Sequence, residues 1–387
     1  MRIGIEAQRI FRKKKHGMDI YALQLLRHLQ KEDLDNEYFV FVKKGEDVCL
    51  EETENFTIVE VGGLTYADWE QIHLPRAASK YNLDVLHCTS NTAPLFSGIP
   101  LVLTLHDIIY LNKSFSGGSL YQRLGHYYRK WIVPIVYKKA KKVLTVSNFE
   151  KEAIKNHFGR NRKVSVIYNG VDKKFDIGLD PKFLKKVRKE LGLPDHYFFF
   201  LGNTAPKKNM KGMLEAYAEY YHNSNNPYSL VIAESSEKEV NEMLDKIGQK
   251  EANLPIYLTG YVPHEWLPAV YRLSEAFVYP SLRESFGIPI IEAMACGAPV
   301  ITSLTSSMPE VGGGAARFVD PTKPEEIAQW MRMITDEDQL RNDMVAAGMI
   351  RSTMFTWSRA ADQTMEIYHS MLSQSIVLDR PLSALAS

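Results

Sequence analysis

Short apolar runs alternate with amphipathic stretches over most of the chain. In the first half, residues 2–6, 38–42, 56–61, 85–88, 101–105, 142–146 and 164–167 read as strands. Between the first two, Met18, Ala22, Leu25, Leu26 and Leu29 recur on one helical face. Ser147-Asn148-Phe149-Glu150 is a capping box that opens a helix running towards Phe158. The rhythm breaks at the turn cluster Tyr168-Asn169-Gly170-Val171-Asp172, and residues 172–181 carry no clear period. A second series follows, with strands predicted at 197–201, 229–232, 256–258, 276–279 and 300–302. Thr322-Lys323-Pro324-Glu325 reads as a second capping box. Strands alternating with helices predict parallel sheets covered on both faces. The pattern therefore gives an α/β chain of two Rossmann-like domains with a linker near 170–180. No repeat at a period of about 20–50 residues and no low-complexity tract interrupts it.

Composition narrows the class. A length of 387 residues fits two or three domains. Apolar residues make up 45% and charged ones 24%, as in a soluble globular protein. Lys and Arg number 47 against 46 Asp and Glu, a net charge of +1. That balance excludes a bulk electrostatic nucleic-acid binder and leaves room for a local basic patch. Cys49, Cys88 and Cys296 are far apart and form no CxxC, which argues against a disulfide scaffold or a thiolate zinc site. The N-terminus enters a strand at once, where a signal peptide would need an apolar core of about seven residues. No apolar run approaches the roughly 20 residues of a membrane span. A cytoplasmic protein is expected.

Five segments carry candidate chemistry. The densest is 279–297, where an apolar strand ends at Tyr279-Pro280, a polar loop follows and Pro289 suits the first turn of a helix. Unbonded N–H groups near Phe286 to Ile290 then form an anion site at a strand's carboxyl end. Glu284 in the loop and Glu292 on the helix bracket it. Carboxylates accept hydrogen bonds from hydroxyls and repel phosphate, so phosphate belongs on the helix end and hydroxyl-bearing rings on the acids. The plainer alternative is two solvated glutamates. In the second segment the strand 198–201 runs into Gly202-Asn203-Thr204-Ala205-Pro206-Lys207-Lys208-Asn209, whose lysines could neutralise a phosphate or lie in solvent. Neither a Walker loop nor a dinucleotide GxGxxG is present.

The third segment is a strand ending in His106-Asp107. The histidine suits a polar contact or a proton carrier oriented by Asp107, or equally a structural ring bonded to backbone. In the fourth, Gly17 allows close approach at a helix N-terminus, after the run Arg12-Lys13-Lys14-Lys15 that could lie over an anionic substrate or stay solvated. The fifth, 121–142, holds seven Lys or Arg and no acid among Tyr and Trp. It suits the surface of an anionic membrane, or else Trp131, Ile132, Val133, Ile135 and Val136 pack on the sheet.

Together these segments resemble the retaining glycosyltransferases of family four, which have the GT-B fold of two Rossmann-like domains with parallel sheets facing across a cleft. The resemblance runs nearly end to end. It rests on Gly17 to Tyr21, His106-Asp107, Thr145-Val146-Ser147, residues 166–172 and Gly202 with Pro206-Lys207-Lys208-Asn209. The Glu-x7-Glu of Glu284 and Glu292, with Gly287-Ile288-Pro289, residues 296–300 and Pro309-Glu310-Val311, carries most of its specificity.

The resemblance implies an acceptor-side domain over 1–171, a donor domain over 172–365, and a closing helix at about 366–387 that returns to the first. Glu292 would hold the donor's ribose, and Glu284 the hydroxyls of its sugar. The loop and helix start at Ser285, Phe286, Gly287 and Ile288 would meet the diphosphate, with Asn203, Lys207 and Lys208 opposite. Gly17 would approach the donor and His106 would line the sugar and acceptor side, so that Glu284, Lys208 and His106 stand as catalytic. Many family members carry Arg where this chain has Asn203, and some carry Arg in place of Lys207; a Lys cannot fork bidentately.

Trp69-Glu70-Gln71 and His106-Asp107 look most like bacterial mannosyltransferases of surface polysaccharide synthesis. GDP-mannose is thus the favoured donor, a UDP-sugar the second, and a glycan or lipid-linked saccharide the acceptor. Neither a metal, a further cofactor nor a nucleic-acid partner is expected, and contact with the inner membrane face would run through 121–142. A nucleotide-sugar epimerase or hydrolase, or a non-catalytic nucleotide-sugar-binding protein, would share the fold.

Overall fold

The computed structural model describes residues 1–112, 120–159 and 163–378, with side chains over 1–111, 123–159 and 163–371. The chain divides into two compact units. One is Met1–Gly170 together with the chain from Trp357 onward, and the other is Val171–Thr356.

In the first unit, β1 (Arg2–Glu6), β2 (Glu37–Val42), β3 (Phe56–Glu60), β4 (Val85–Cys88), β5 (Leu101–Thr104), β6 (Lys142–Thr145) and β7 (Val164–Val166) form one sheet. Their order is β3-β2-β1-β4-β5-β6-β7 and every pairing is parallel. Because side chains alternate along a strand, the apolar run of β2 serves two cores. Tyr38, Val40 and Val42 pack with Leu25, Leu26 and Leu29 of the helix Gly17–Glu32, and with Trp357 and Tyr368 of the last helix, Trp357–Leu378. Phe39 and Phe41 pack on the other face with Trp69, Ile132, Val133 and Val136. Buried His87 ties the layers, with Nδ1 2.6 Å from the Tyr368 hydroxyl and Nε2 2.7 Å from that of Thr104.

In the second unit, β8 (Tyr197–Leu201), β9 (Ser229–Ala233), β10 (Ile256–Gly260), β11 (Ala276–Tyr279), β12 (Val300–Ser303) and β13 (Arg317–Val319) form a second all-parallel sheet, ordered β10-β9-β8-β11-β12-β13. Phe198, Phe200, Leu230 and Ile232 pack against Met213, Tyr217 and Tyr220 of the helix Met210–His222 and Met331 of Pro324–Asp336. Strand order reverses between β1 and β4, and again between β8 and β11. Open sheets take ligands outside the strand carboxyl ends at such reversals.

Every strand expected from the sequence is present to within two residues. β13, three residues long behind a glycine run, is too short to show as a pattern. The units divide at Gly170/Val171, and the chain returns at Trp357 rather than near 366, because Trp357 already starts the last helix and is buried in the first unit's core. Residues 379–387 of the expected closing helix lie outside the described residues. Ser147 caps as expected, its hydroxyl accepting from Glu150 N at 3.2 Å. The second capping box does not form. Asp320 Oδ1 takes both the amide and the hydroxyl of Thr322, Glu326 accepts from Asp320 N, and Lys323 occupies the cap. Asp320 is the nearer acceptor, and Pro324 sets the helix start beyond Thr322.

Candidate functional site

The reversal between β8 and β11 brings together the loops that follow these strands. After β8, residues 202–209 end in a single turn, Pro206–Lys208, and Asn209 in the left-handed region at φ 58°. Asn209 Nδ2 donates to the Pro280 carbonyl at 3.0 Å and to the Pro321 carbonyl at 2.7 Å, so one amide joins three loops. Leu282 N donates to Lys207 O at 2.8 Å, pinning the loop after β11 to the loop after β8. From the other side, Ser307 Oγ donates to the carbonyls of Glu284 and Phe286, both at 2.9 Å, and Glu284 N donates to Ser306 Oγ at 3.0 Å.

These ties hold Glu284 9% exposed against two lysines. Lys208 Nζ lies 2.8 Å from Oε1 and Lys207 Nζ 3.6 Å from Oε2. Lys208 also donates to the Tyr279 hydroxyl at 2.6 Å and sits 4.7 Å over its ring. Burial pushes the Glu284 carboxyl up, but Lys208, Lys207 and the hydrogen bonds from Lys208 and Tyr279 outweigh it, so the group stays below its ordinary range. Buried Tyr279 moves the opposite way: burial first, then Glu284 and more weakly Glu292, hold its pKa well above normal.

Gly287 caps the following helix, Ile288–Ala295, at φ 97°, a conformation that glycine adopts without strain. Ile290 N bonds back to Gly287 O, and among the described residues the amides of Gly287 and Ile288 make no hydrogen bond. Ser285 is half-buried; Phe286 is buried, its ring edge-on to Phe355 at 5.7 Å. Glu292 is buried on this helix, its Oε1 3.7 Å from His264 Nε2. His264 is braced by Lys174 at Nδ1 and by the Phe175 ring at 5.5 Å. Asn203 is spent locally, its Oδ1 accepting from Ala205 N at 3.0 Å. The structure thus gathers Glu284, Lys207 and Lys208 into one cluster and sets Glu292 against His264. Asn209, Tyr279, His264, Ser306 and Ser307 were not read as site residues. Only the family motif ending in Asn209 held a signal for any of them.

The first unit holds the remaining candidates. His106 is buried at the end of β5, with Nε2 2.9 Å from the Thr89 carbonyl and its ring edge-on to Tyr21 at 4.7 Å. A carbonyl only accepts, so Nε2 carries a proton. Burial lowers the ring's pKa, against weaker opposing effects from Thr89 and Asp107. Asp107 does not orient the ring through a hydrogen bond; its Oδ1 accepts from Ile109 N at 3.2 Å. Gly17 starts its helix with open space where a Cβ would stand, so no protein atom there demands glycine.

Glu70, 1% exposed, is ringed by the hydroxyls of Tyr66, Thr92 and Tyr128 and by the Gln71 amide. Burial pushes its pKa up to about 7 despite those bonds, and Glu6 adds to the rise. In the basic helix Leu120–Lys139, Ile132, Val133 and Val136 are core, whereas Leu124, Tyr127 and Trp131 are 60–65% exposed. Trp131 therefore does not pack on the sheet, while the side chains of Tyr121 and Gln122 lie outside the described residues. Among the described residues no group of three His, Cys, Asp or Glu side chains is placed to hold a metal ion, and no helix is long and apolar enough to cross a membrane.

Residues 16–175 match the family described as Glycosyltransferase Family 4, and residues 183–350 that described as Glycosyl transferases group 1. An O-antigen chain mannosyltransferase B of Escherichia coli is 36% identical over 44% of this chain and 45% of its own length. The O-antigen chain mannosyltransferase RfbU of Salmonella typhimurium is 29% identical over 68% of each. The chain spans 23–45% of the length of the first curated relatives it matches. Among solved structures, Anabaena Alr3699/HepE in complex with UDP-glucose superposes with a TM-score of 0.72 at 19% identity, over 96% of this chain and 100% of that one. With two all-parallel sheets of the same strand order and a glycosyltransferase family matched in each half, the chain belongs to glycosyltransferase family four, has the GT-B fold and resembles bacterial mannosyltransferases.

Proposed function

We propose that this chain is a retaining hexosyltransferase. It moves mannose from GDP-mannose, with a UDP-sugar as the second choice of donor, to a glycan or lipid-linked saccharide. The observation that supports this best is the Lys208–Glu284 pair beside the helix that carries Glu292. Cleavage of the bond between the anomeric carbon and the phosphate oxygen builds positive charge on the sugar and negative charge on the leaving diphosphate. Lys208 and the amides at Gly287 and Ile288 stabilise the leaving group, at roughly 3–4 kcal/mol per preorganised donor. Glu284 accepts from the sugar's hydroxyls and Glu292 from the ribose. The acceptor attacks from the face the diphosphate leaves, and the departing phosphate takes the acceptor's proton, so configuration is kept. His106, proton on Nε2, is a neutral polar contact on the acceptor side. The cation the reaction needs is a lysine, and turnover in EDTA follows.

Two relatives carry mannosyltransferase names, which favours mannose; the UDP-glucose complex of a structural neighbour keeps uridine nucleotides in play. The exposed aromatic and basic residues of the helix Leu120–Lys139 support peripheral contact with an anionic membrane face.

The test is a thermal-shift panel of GDP, UDP, ADP and their sugars. A ligand at 100 times its Kd stabilises by about 2.7 kcal/mol. A shift with GDP or GDP-mannose alone, abolished by Glu292→Ala, is expected, followed by transfer of labelled mannose to an added saccharide with the α configuration retained. A shift with UDP alone removes the mannose assignment. Cleavage or epimerisation of the donor with no transfer to any acceptor removes the transferase reading.

A further inference from the structure

The basic run after β1 has no task in the donor chemistry. In the fold it lies along the segment that follows β2. Ala7 N bonds Phe41 O at 2.9 Å, Lys43 N bonds Gln8 O at 3.2 Å and Asp47 N bonds Phe11 O at 3.1 Å. Gly45 permits that approach, since a Cβ there would stand 2.1 Å from Phe11 O. These two segments and residues 64–66 enclose a cavity of about 320 Å³ whose lining includes Gln8, Arg12, Lys43, Lys44 and Tyr66.

Three features give the cavity a chemical preference. Arg12, Lys43 and Lys44 form no ion pair among the described residues, so three cations line one small space. The acids of the same rim are largely engaged: Asp47 by Lys15, and Asp68 by Leu64 N, Thr65 and His73, with Glu46 left on the exposed surface. Gln8 is 5% exposed, yet its Oε1 has no hydrogen-bond partner. Tyr66 supplies a fixed aromatic wall, its hydroxyl held 3.0 Å from Glu70 Oε1 and 2.7 Å from Thr92 Oγ1.

We infer that this cavity binds a phosphate-bearing sugar, with Arg12, Lys43 and Lys44 around the phosphate and Tyr66 against the ring. Its volume is at the small end for ligand sites and suits a single phosphorylated sugar unit. The assignment deepens the proposed transferase reading by naming a charged group on the acceptor, and it rests on that reading only for the word acceptor. The phosphate could belong to a free sugar phosphate or to the diphosphate of a lipid-linked saccharide.

The test is calorimetric titration of the full chain in the presence of GDP. The probes are mannose 1-phosphate, methyl mannoside, inorganic phosphate and a short-alkyl diphosphate-linked N-acetylglucosamine. The sugar phosphates bind and methyl mannoside does not. The variant Lys43→Gln/Lys44→Gln weakens that binding about tenfold or more, with its melting temperature and GDP affinity kept. Equal binding of the soluble and alkyl-linked probes supports a free sugar phosphate, and binding of the alkyl-linked probe alone supports the lipid-linked source. Inorganic phosphate binding as well as the sugar phosphates, or binding indifferent to the two lysines, overturns the inference. If no nucleotide binds but the sugar phosphate does so through the lysines, the donor reading falls and this one stands. Nucleotide binding with no sugar-phosphate binding gives the reverse.

Discussion

The Lys208 ammonium lies 2.8 Å from Glu284 Oε1, and Tyr279 donates its hydroxyl to that same oxygen at 2.8 Å. One carboxylate oxygen thus takes two donors in a buried setting. The lysine proposed to meet the diphosphate and the glutamate proposed to meet the sugar are paired with each other, so donor binding must exchange this contact for two new ones.

Removing one partner should therefore cost more than removing both. Lys208→Ala leaves Glu284 buried with the Tyr279 hydroxyl and, as its paired cation, half-exposed Lys207 at 3.6 Å, and should lower stability by about 3 kcal/mol. Lys208→Met/Glu284→Gln should recover more than half of that loss in urea unfolding. The sign with pH follows from the depressed Glu284 pKa. The pair's contribution is present above the ordinary value of 4.5 and is lost as pH falls through the lower folded value. Glu284→Gln should flatten the acid side of the stability profile.

Gly287→Ala tests the helix start. A side chain at φ 97° is strained, and the new Cβ would stand 3.2 Å from Ile290 Cδ1. A loss of about 1–2 kcal/mol in stability is expected. Nucleotide affinity should fall by more than that loss explains, read as a thermal shift with GDP that shrinks relative to wild type.

Glu70 predicts a slope of the opposite kind. Its folded pKa of about 7 lies above the ordinary 4.5, so the folded state holds the proton longer than the unfolded one. Stability should fall as pH rises from 4.5 to about 7 and level off beyond. The full effect is roughly 3 kcal/mol. Melting temperatures of Glu70→Gln should vary less over this range; an unchanged slope would locate the effect elsewhere, with Glu6 next in line because burial raises its pKa too.

The exposed aromatic face of the helix Leu120–Lys139 gives a fourth expectation. Leu124→Ser/Trp131→Ser should reduce co-sedimentation with vesicles containing phosphatidylglycerol several-fold and leave the melting temperature within about a degree, since both side chains already face solvent. Retention unchanged from wild type would end the membrane proposal.

What could be read from the sequence was what depends on near neighbours. β2 announces itself because Tyr38 to Val42 must be apolar on both faces of a covered sheet. Lys208, Glu284 and Glu292 stood out because motif and strand end coincide. Asn209 showed only as the end of a motif, and Ser306, Ser307 and His264 were silent, because their work is done across loops distant in the chain. Ser307 reaches back more than twenty positions to Phe286, and Asn209 more than a hundred forward to Pro321. Tyr279 passed as core since its ring is core and only its hydroxyl belongs to the site. The second capping box failed for a local reason, the closer carboxylate of Asp320.

The first unit's core includes Trp357, Ala360, Ala361, Tyr368 and Met371, the last described side chains of the chain. On the ribosome, a segment made later cannot help the residues made before it. The sheet begun by β1 must wait, one apolar face covered only in part by the helix Gly17–Glu32, while the whole of Val171–Thr356 is made and can close on itself. Birth order and folding order are thus reversed in part: the second unit can finish first, and the opening strands are sealed only by the closing helix.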